Sequence, residues 1–269
     1  MLRLGSFLLI CSLLMSGSAI AQSTPYPIAH CQQEIQLGFP QSQKPNSVVI
    51  CRLGYALLHD NSAKIAAWVA YVLTPSETIG CVPRSNSFAA DSSLKKEYRA
   101  EPSDYANSGY DMGHLANNAD MSWDLRAAKE SFILSNIAPQ LPNLNRGLWK
   151  QLEFIVRAWA LDRPQGLTIY TGSIYNVDSD KKIGANKVVV PNSFYKIVVD
   201  NAAKTSLAFI FPHKSNIGTS VQSMQVSVSE IERRTDIKFP VPDNKEIMSK
   251  FWSYDLRKLT VIKKNACNS

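Results

Sequence analysis

YDMGHLANNADM at residues 110–121 and SNIAPQLPNLNRGLWKQLE at residues 135–153 concentrate the chemistry-bearing side chains of this chain. Asp111, Gly113 and His114 come first; Asn136, Asn145, Arg146 and Glu153 follow, with Arg157 one helical turn beyond. These residue types suit phosphodiester cleavage. That reaction needs a base to take a proton from water, a hard cation to offset charge on the phosphorane and leaving oxygen, and positive side chains for the phosphate. A histidine can be the base near neutral pH. Carboxamide and carboxylate oxygens suit Mg2+, which prefers oxygen ligands and keeps several of its waters. Glu153 and Arg157 are four apart and therefore share a helix face. Asn145 stands just before that helix, about two turns from Glu153, and on spacing alone it reads as an N-cap.

Outward from these motifs, apolar periodicity sets the elements. A helix is expected from about Arg146 to Leu161, where Leu148, Leu152, Ile155 and Trp159 form a core-facing stripe, and another near Asp124 to Leu134. Ile65 to Leu73 reads as a buried strand ending before Pro75. Arg84 to Gly109 is polar and rich in Ser, Asp and Pro, as in a long surface excursion. Beyond Pro164 the pattern changes to strands at Leu167–Thr171, Lys187–Val190, Phe194–Val199 and Ser206–Phe211, then a helix over Val226–Arg234 and a mixed tail after Lys245. Helices and strands do not strictly alternate. The expected class is α+β, with a mixed or antiparallel sheet and flanking helices.

Arg3, the apolar stretch Phe7 to Met15 and the small-x-small run Ala19-Ile20-Ala21 read as a secretory signal peptide, residues 1–21, cut before Gln22. No repeat or long linker divides residues 22–269, so one domain is expected, exported to a periplasm or secreted. No later segment is long and apolar enough for a membrane helix. Cleavage would remove Cys11 and leave Cys31, Cys51, Cys81 and Cys267. An even cysteine count in an exported chain suggests two disulfides, with three possible pairings. A zinc site lacks the Cys-x-x-Cys or paired-His spacing it would need. Lys and Arg (29) outnumber Asp and Glu (22), giving +7, or +6 without Arg3. A basic surface suits a polyanion, because each neutralised phosphate releases counterions.

The two opening motifs resemble the DNA/RNA non-specific endonuclease family, whose ββα-metal site carries Asp-Arg-Gly-His, then Asn-x-x-Pro-Gln and Asn-x-Gly-x-Trp-x-x-x-Glu. Here the order and spacing match, and WVAYVLTP (68–75), YTGSIY (170–175) and VPNSFYKIVVD (190–200) are similar too. The resemblance covers about residues 50 to 212. It implies hydrolysis of DNA and RNA with little sequence preference and 5′-phosphate products. It implies Mg2+, with Mn2+ able to substitute. His114 would be the general base and Asn145 the one direct metal ligand. Glu153 would orient water of the metal's shell, and Arg157 would contact phosphate or support Glu153. Asn136 would position backbone or metal waters, and Asp111 would anchor the motif. Arg84, in RSNSFAAD (84–91), matches an upstream family arginine that helps bind the scissile phosphate.

Met112 departs from the pattern, standing where the family has arginine. A thioether cannot donate to a phosphate oxygen, so one charge-assisted contact is lost, to be offset by Arg84, Arg146 or Arg157. The competing reading is a weakly active or non-catalytic nucleic-acid-binding homologue. His30, His59 and His213 fall outside the motifs and read as surface or loop histidines, His59 in a turn. Trp123 and Tyr110 read as packing residues with the capacity to stack on bases.

Overall fold

Nine strands carry the architecture: β1 (Ser47–Cys51), β2 (Ala56–Asp60), β3 (Ile65–Leu73), β4 (Asp111–His114), β5 (Ile137–Gln140), β6 (Leu167–Ile174), β7 (Ser193–Asp200), β8 (Thr205–Pro212) and β9 (Gln225–Val226). The computed structural model describes residues 25–216, 218–242, 245–246 and 249–268, so the signal-like segment 1–21 lies outside the described residues. Seven strands form one antiparallel sheet in the order β9-β8-β7-β6-β3-β2-β1, while β4 and β5 pair separately. The helices used below are α1 (Ile28–Glu34), α2 (Leu125–Glu130), α3 (Lys150–Leu161), α4 (Val228–Thr235) and α5 (Leu256–Asn268).

Every residue of β6 and β7 is buried, because both faces of the sheet are covered. Val69, Tyr71, Ile169, Phe194 and Val198 point one way and join Leu152, Ile155 and Trp159 of α3. Trp68, Tyr170, Tyr195 and Ile197 point the other way, toward Cys31 of α1 and Ile231 of α4. Alternate residues thus feed two cores, and the strands read as continuous apolar runs even though they are antiparallel. The expected strand at Ile65–Leu73 has those bounds, and those near 167, 194 and 206 each extend by one to three residues. The stripe on α3 is packing, as expected; each fully buried side chain of its kind contributes about 1.5–3 kcal/mol.

Some expectations fail for tertiary reasons. The helix near Asp124 ends at Glu130, whose carboxylate turns inward to accept from Leu53 N at 2.8 Å. The Arg84–Gly109 stretch is not wholly superficial: Asp91 forms a fully buried ion pair with Arg52 at 2.7 Å, and Leu94, Ala100 and Tyr105 join the core. His59 lies in β2 rather than in a turn, buried, with Nε2 2.8 Å from the Tyr98 carbonyl. His213 is a pin rather than a surface group. Its Nε2 accepts from Leu141 N at 2.7 Å, so Nδ1 carries the proton and donates to Pro191 O at 2.6 Å. The two expected disulfides are Cys31–Cys51 and Cys81–Cys267. The second spans 186 residues and ties α5 to the loop just before Arg84. In chain-entropy terms a ring of that size is worth on the order of 5 kcal/mol.

Candidate active site

The short β4–β5 ladder places His114 opposite Ile137 and Asp111 opposite Gln140. Gly113 is needed here for space: a Cβ would fall 2.7 Å from the Cβ of Gln140 on the paired strand. Asn136, completely buried, accepts from Ala116 N at 2.9 Å and donates to the carbonyls of Ala116 and Ser131, both at 2.8 Å. It fixes the backbone leaving His114. Its amide is fully spent on backbone groups, and Asn136 is not among the residues lining the cleft described below.

The entry to α3 is irregular. The chain is kinked at Gly147, whose φ −101° and ψ −118° lie outside helical space, so the turn Asn145–Trp149 is not a continuous helix. Asn145 is therefore not an N-cap: its own φ and ψ are helical (−56°, −47°), and its side chain caps nothing. Instead its Nδ2 donates to Asp111 Oδ2 at 2.8 Å. An ionised carboxylate only accepts, so the amide nitrogen must face Asp111 and Oδ1 is the end left for the cleft. The same carboxylate accepts from Arg146 Nε at 2.9 Å and Nη2 at 2.7 Å. Asp111 is thus the anchor expected of it, and these bonds hold its pKa below the usual carboxylate range despite partial burial.

A cleft of about 870 Å³ gathers Arg84, Asp111, Met112, His114, Asn145, Arg146, Glu153 and Arg157 along its walls. His114 is 8% exposed, its ring set edge-on against Phe132 at 5.0 Å and tilted on Phe88 at 5.4 Å. Its Nε2 has no hydrogen-bond partner among the described residues. Burial, assisted by the Arg84 charge, pushes the His114 pKa down to about 3. The imidazole is neutral at physiological pH, the form a base requires. Arg84 lies 5.0 Å over the Phe132 ring and donates from Nε to Asn86 Oδ1 at 2.6 Å. Unlike Arg146 and Arg157, it has no carboxylate ion-pair partner among the described residues.

Arg157 lines the cleft but spends its hydrogen bonds behind it. Nη1 donates to Asp120 Oδ1 at 2.9 Å and to Asn117 Oδ1 at 3.1 Å, and Tyr71 donates to the other Asp120 oxygen at 2.8 Å. It braces the wall rather than hydrogen-bonding Glu153. Burial pushes the Glu153 pKa up, against the pull of Lys196 and Arg157. Met112 is partly buried against the core, and its side chain lines the cleft. Asn117, Asp120, Lys150 and Lys196 escaped the sequence reading. The first two are ordinary polar residues in a loop, and Lys150 is one of many surface lysines. Lys196 did leave a signal: a lysine inside the apolar run FYKIVVD.

The cleft's donor set bears on a cation. One carboxamide oxygen, locked by Asp111, and the Glu153 carboxylate are hard oxygens. The described residues contain no group of three His, Cys, Asp or Glu able to hold a metal. Such a set fits a hydrated hard cation with few protein ligands, and not a structural zinc ion with four nitrogen or sulfur ligands.

A family model described as DNA/RNA non-specific endonuclease matches residues 32–244. Mitochondrial Endonuclease G of Bos taurus is 32% identical over 203 residues, covering 70% of this chain and 67% of that protein. A Nuclease of Nostoc sp. (strain PCC 7120 / SAG 25.82 / UTEX 2576) is 31% identical over 212 residues, covering 74% of this chain and 76% of that protein. A solved EndoG chain from a complex with EndoGI superposes with a TM-score of 0.71 at 28% identity, covering 84% of this chain and 94% of that one. With its antiparallel sheet, its β4–β5 hairpin and the helix that follows, the chain belongs to the DNA/RNA non-specific endonuclease family, metal-dependent nucleases that hydrolyse phosphodiester bonds.

Proposed function

We propose that this protein is an exported, Mg2+-dependent endonuclease that cuts DNA and RNA with little sequence preference, using His114 as general base. The carrying observation is the neutral His114 imidazole, its Nε2 without a hydrogen-bond partner among the described residues, in the same cleft as an Asn145 oxygen oriented by Asp111. Asn145, with Glu153 nearby, would hold the cation, whose charge offsets the negative charge growing on the phosphate and the leaving 3′-oxygen. His114 takes the proton of the attacking water. Arg84, which has no carboxylate ion pair among the described residues, binds a non-bridging phosphate oxygen, and Arg146 at the rim adds positive charge. Attack at phosphorus opposite the 3′-oxygen leaves the phosphate on the 5′ side. Contacts of this kind go to phosphates, which carry no base identity, so sequence preference is weak.

Export rests on the leader-like segment Arg3–Ala21 and on two disulfides, which persist in oxidising compartments. The test is digestion of plasmid, single-stranded DNA and RNA by the mature chain, with Mg2+ and with EDTA. His114→Ala should lose about 10²–10⁴ in rate while still binding an oligonucleotide. A His114→Ala rate near wild type, or full digestion in EDTA, refutes the reading.

A further inference from the structure

The flank of α3 beside the catalytic cleft carries a second groove. Lys150, Glu153, Phe154 and Arg157 face the cleft, while Gly147, Leu148, Gln151 and Ile155 line two further cavities of about 560 and 820 Å³. At 3.6 residues per turn these two sets fall on adjoining sides of the helix. Gln151 and Thr219 line both cavities and so join them into one trough, whose near end at Gly147 directly follows Asn145 and Arg146 of the cleft. The far wall is built by residues 250–254, which come after the family-matched residues 32–244. This segment is fixed to α3: Trp159 Nε1 donates to the Trp252 carbonyl at 3.1 Å, and the Trp159 ring meets Phe251 edge-on at 5.2 Å. The Arg163 guanidinium lies 4.3 Å over the Trp252 ring and is held at 2.7 Å by Asp200. Tyr254 closes the row, 42% exposed, with Lys250 exposed beside it. Neither cavity is lined by an Asp or Glu among the described residues. Asp255, next to Tyr254, is turned to the start of α5, where it accepts from Arg257 N at 2.9 Å and Lys258 N at 3.0 Å.

We propose that this trough is an accessory binding site for unpaired nucleic acid, holding the stretch of substrate strand next to the one being cut, with Tyr254 stacked on a base and Lys250 at a phosphate. The inference rests on the nuclease reading of the cleft. Exposed aromatic rings beside cations, with no carboxylate to repel phosphate, are what a single strand needs: every base has a face to stack, and every phosphate a charge to meet. A strand leaving the cleft for the trough passes Arg146 and Lys150, both exposed at the rim. The helical rise from Gln151 to Arg163 is about 18 Å, room for about five phosphates at the spacing of one duplex strand. A tetranucleotide bound for cleavage fills the cleft and leaves the trough empty, whereas a long single strand occupies both. Stacking and phosphate contacts read no base identity, so the trough adds affinity for long strands without adding sequence preference.

The test measures KM of the mature chain with Mg2+ on a tetranucleotide, on a single strand of about 24 nucleotides, and on a blunt duplex of that length. Tyr254→Ala should raise KM for the long single strand about tenfold, the loss of one stacked base, and leave the tetranucleotide and duplex values within about twofold. Tyr254→Phe keeps the ring and should behave as wild type. Lys250→Ala should flatten the dependence of log KM on log salt by about 0.7 for the long single strand and leave the tetranucleotide slope unchanged. Should Tyr254→Ala melt well below wild type, Lys250→Ala, at an exposed position, decides alone. Long-strand values unmoved in both variants, as a groove for a protein partner would give, overturn the inference while the nuclease reading stands. So does an equal rise on the tetranucleotide. Failure of the wild type to cut any of the three substrates overturns the nuclease reading and the inference with it.

Discussion

Arg84→Ala isolates phosphate binding from the rest of the site. Arg84 has no carboxylate partner among the described residues, whereas Asp111 engages Arg146 and Asp120 engages Arg157. With Met112 in place of arginine, Arg84 is the guanidinium best able to meet a developing negative charge. Removing one such donor costs about 10²–10³ in kcat, or roughly 2.7–4 kcal/mol. The loss should appear in kcat/KM on a single-stranded oligonucleotide. It should also flatten the dependence of log KM on log salt by about 0.7, or by about 0.9 on duplex, because one phosphate contact fewer releases one counterion fewer. Arg84 also contributes to the low pKa of His114, but burial is the larger cause, so the base stays neutral in the variant. Arg84→Lys keeps the charge and loses the planar fork, so an intermediate rate is expected. Arg84 lies on an exposed loop, and its loss should leave the melting temperature nearly unchanged. Arg84→Ala within threefold of wild type, at unaltered salt slope, would refute this assignment.

Met112→Arg should raise kcat/KM on polymers by about tenfold or more, since the added donor reaches the same phosphate; equal rates would show that Arg84 already saturates the contact. Asp111→Ala frees the Asn145 carboxamide to rotate, and the Mg2+ concentration for half-maximal rate should rise about 10–100-fold. Titration of activity against Mg2+ measures it, and an unchanged midpoint would remove Asp111 from the site. Asp91→Ala removes the buried ion-pair partner of Arg52 and should cost about 3–5 kcal/mol in denaturant unfolding, without altering kcat of the folded fraction.

What the sequence could convey depended on how local the cause was. The strand Ile65–Leu73 and the stripe on α3 follow from apolar spacing alone, and their bounds agree closely with the structure. β1 and β2 left little trace, because each is five residues long and the polar Arg52, His59 and Asp60 interrupt the pattern. Those three are buried by partners far along the chain, such as Asp91, 39 residues from Arg52. Asn145 illustrates the same limit. Its spacing suits a cap, and only the bond to Asp111 across 34 residues shows that the side chain turns elsewhere. Lys196 was visible as an anomaly in FYKIVVD, but its place over the Trp149 ring required the fold.

The Cys81–Cys267 bridge has a consequence for how the molecule comes apart. Arg84, His114, Asn145, Glu153, Arg157 and Lys196 all fall between these two cysteines, so one covalent ring encloses the whole cleft. A single protease cut anywhere inside that ring leaves two pieces still tethered end to end, and the nicked enzyme can keep its shape. Separation then needs both a cut and a reductant. Ring closure, in turn, waits until Cys267 has been made, after every residue that lines the cleft.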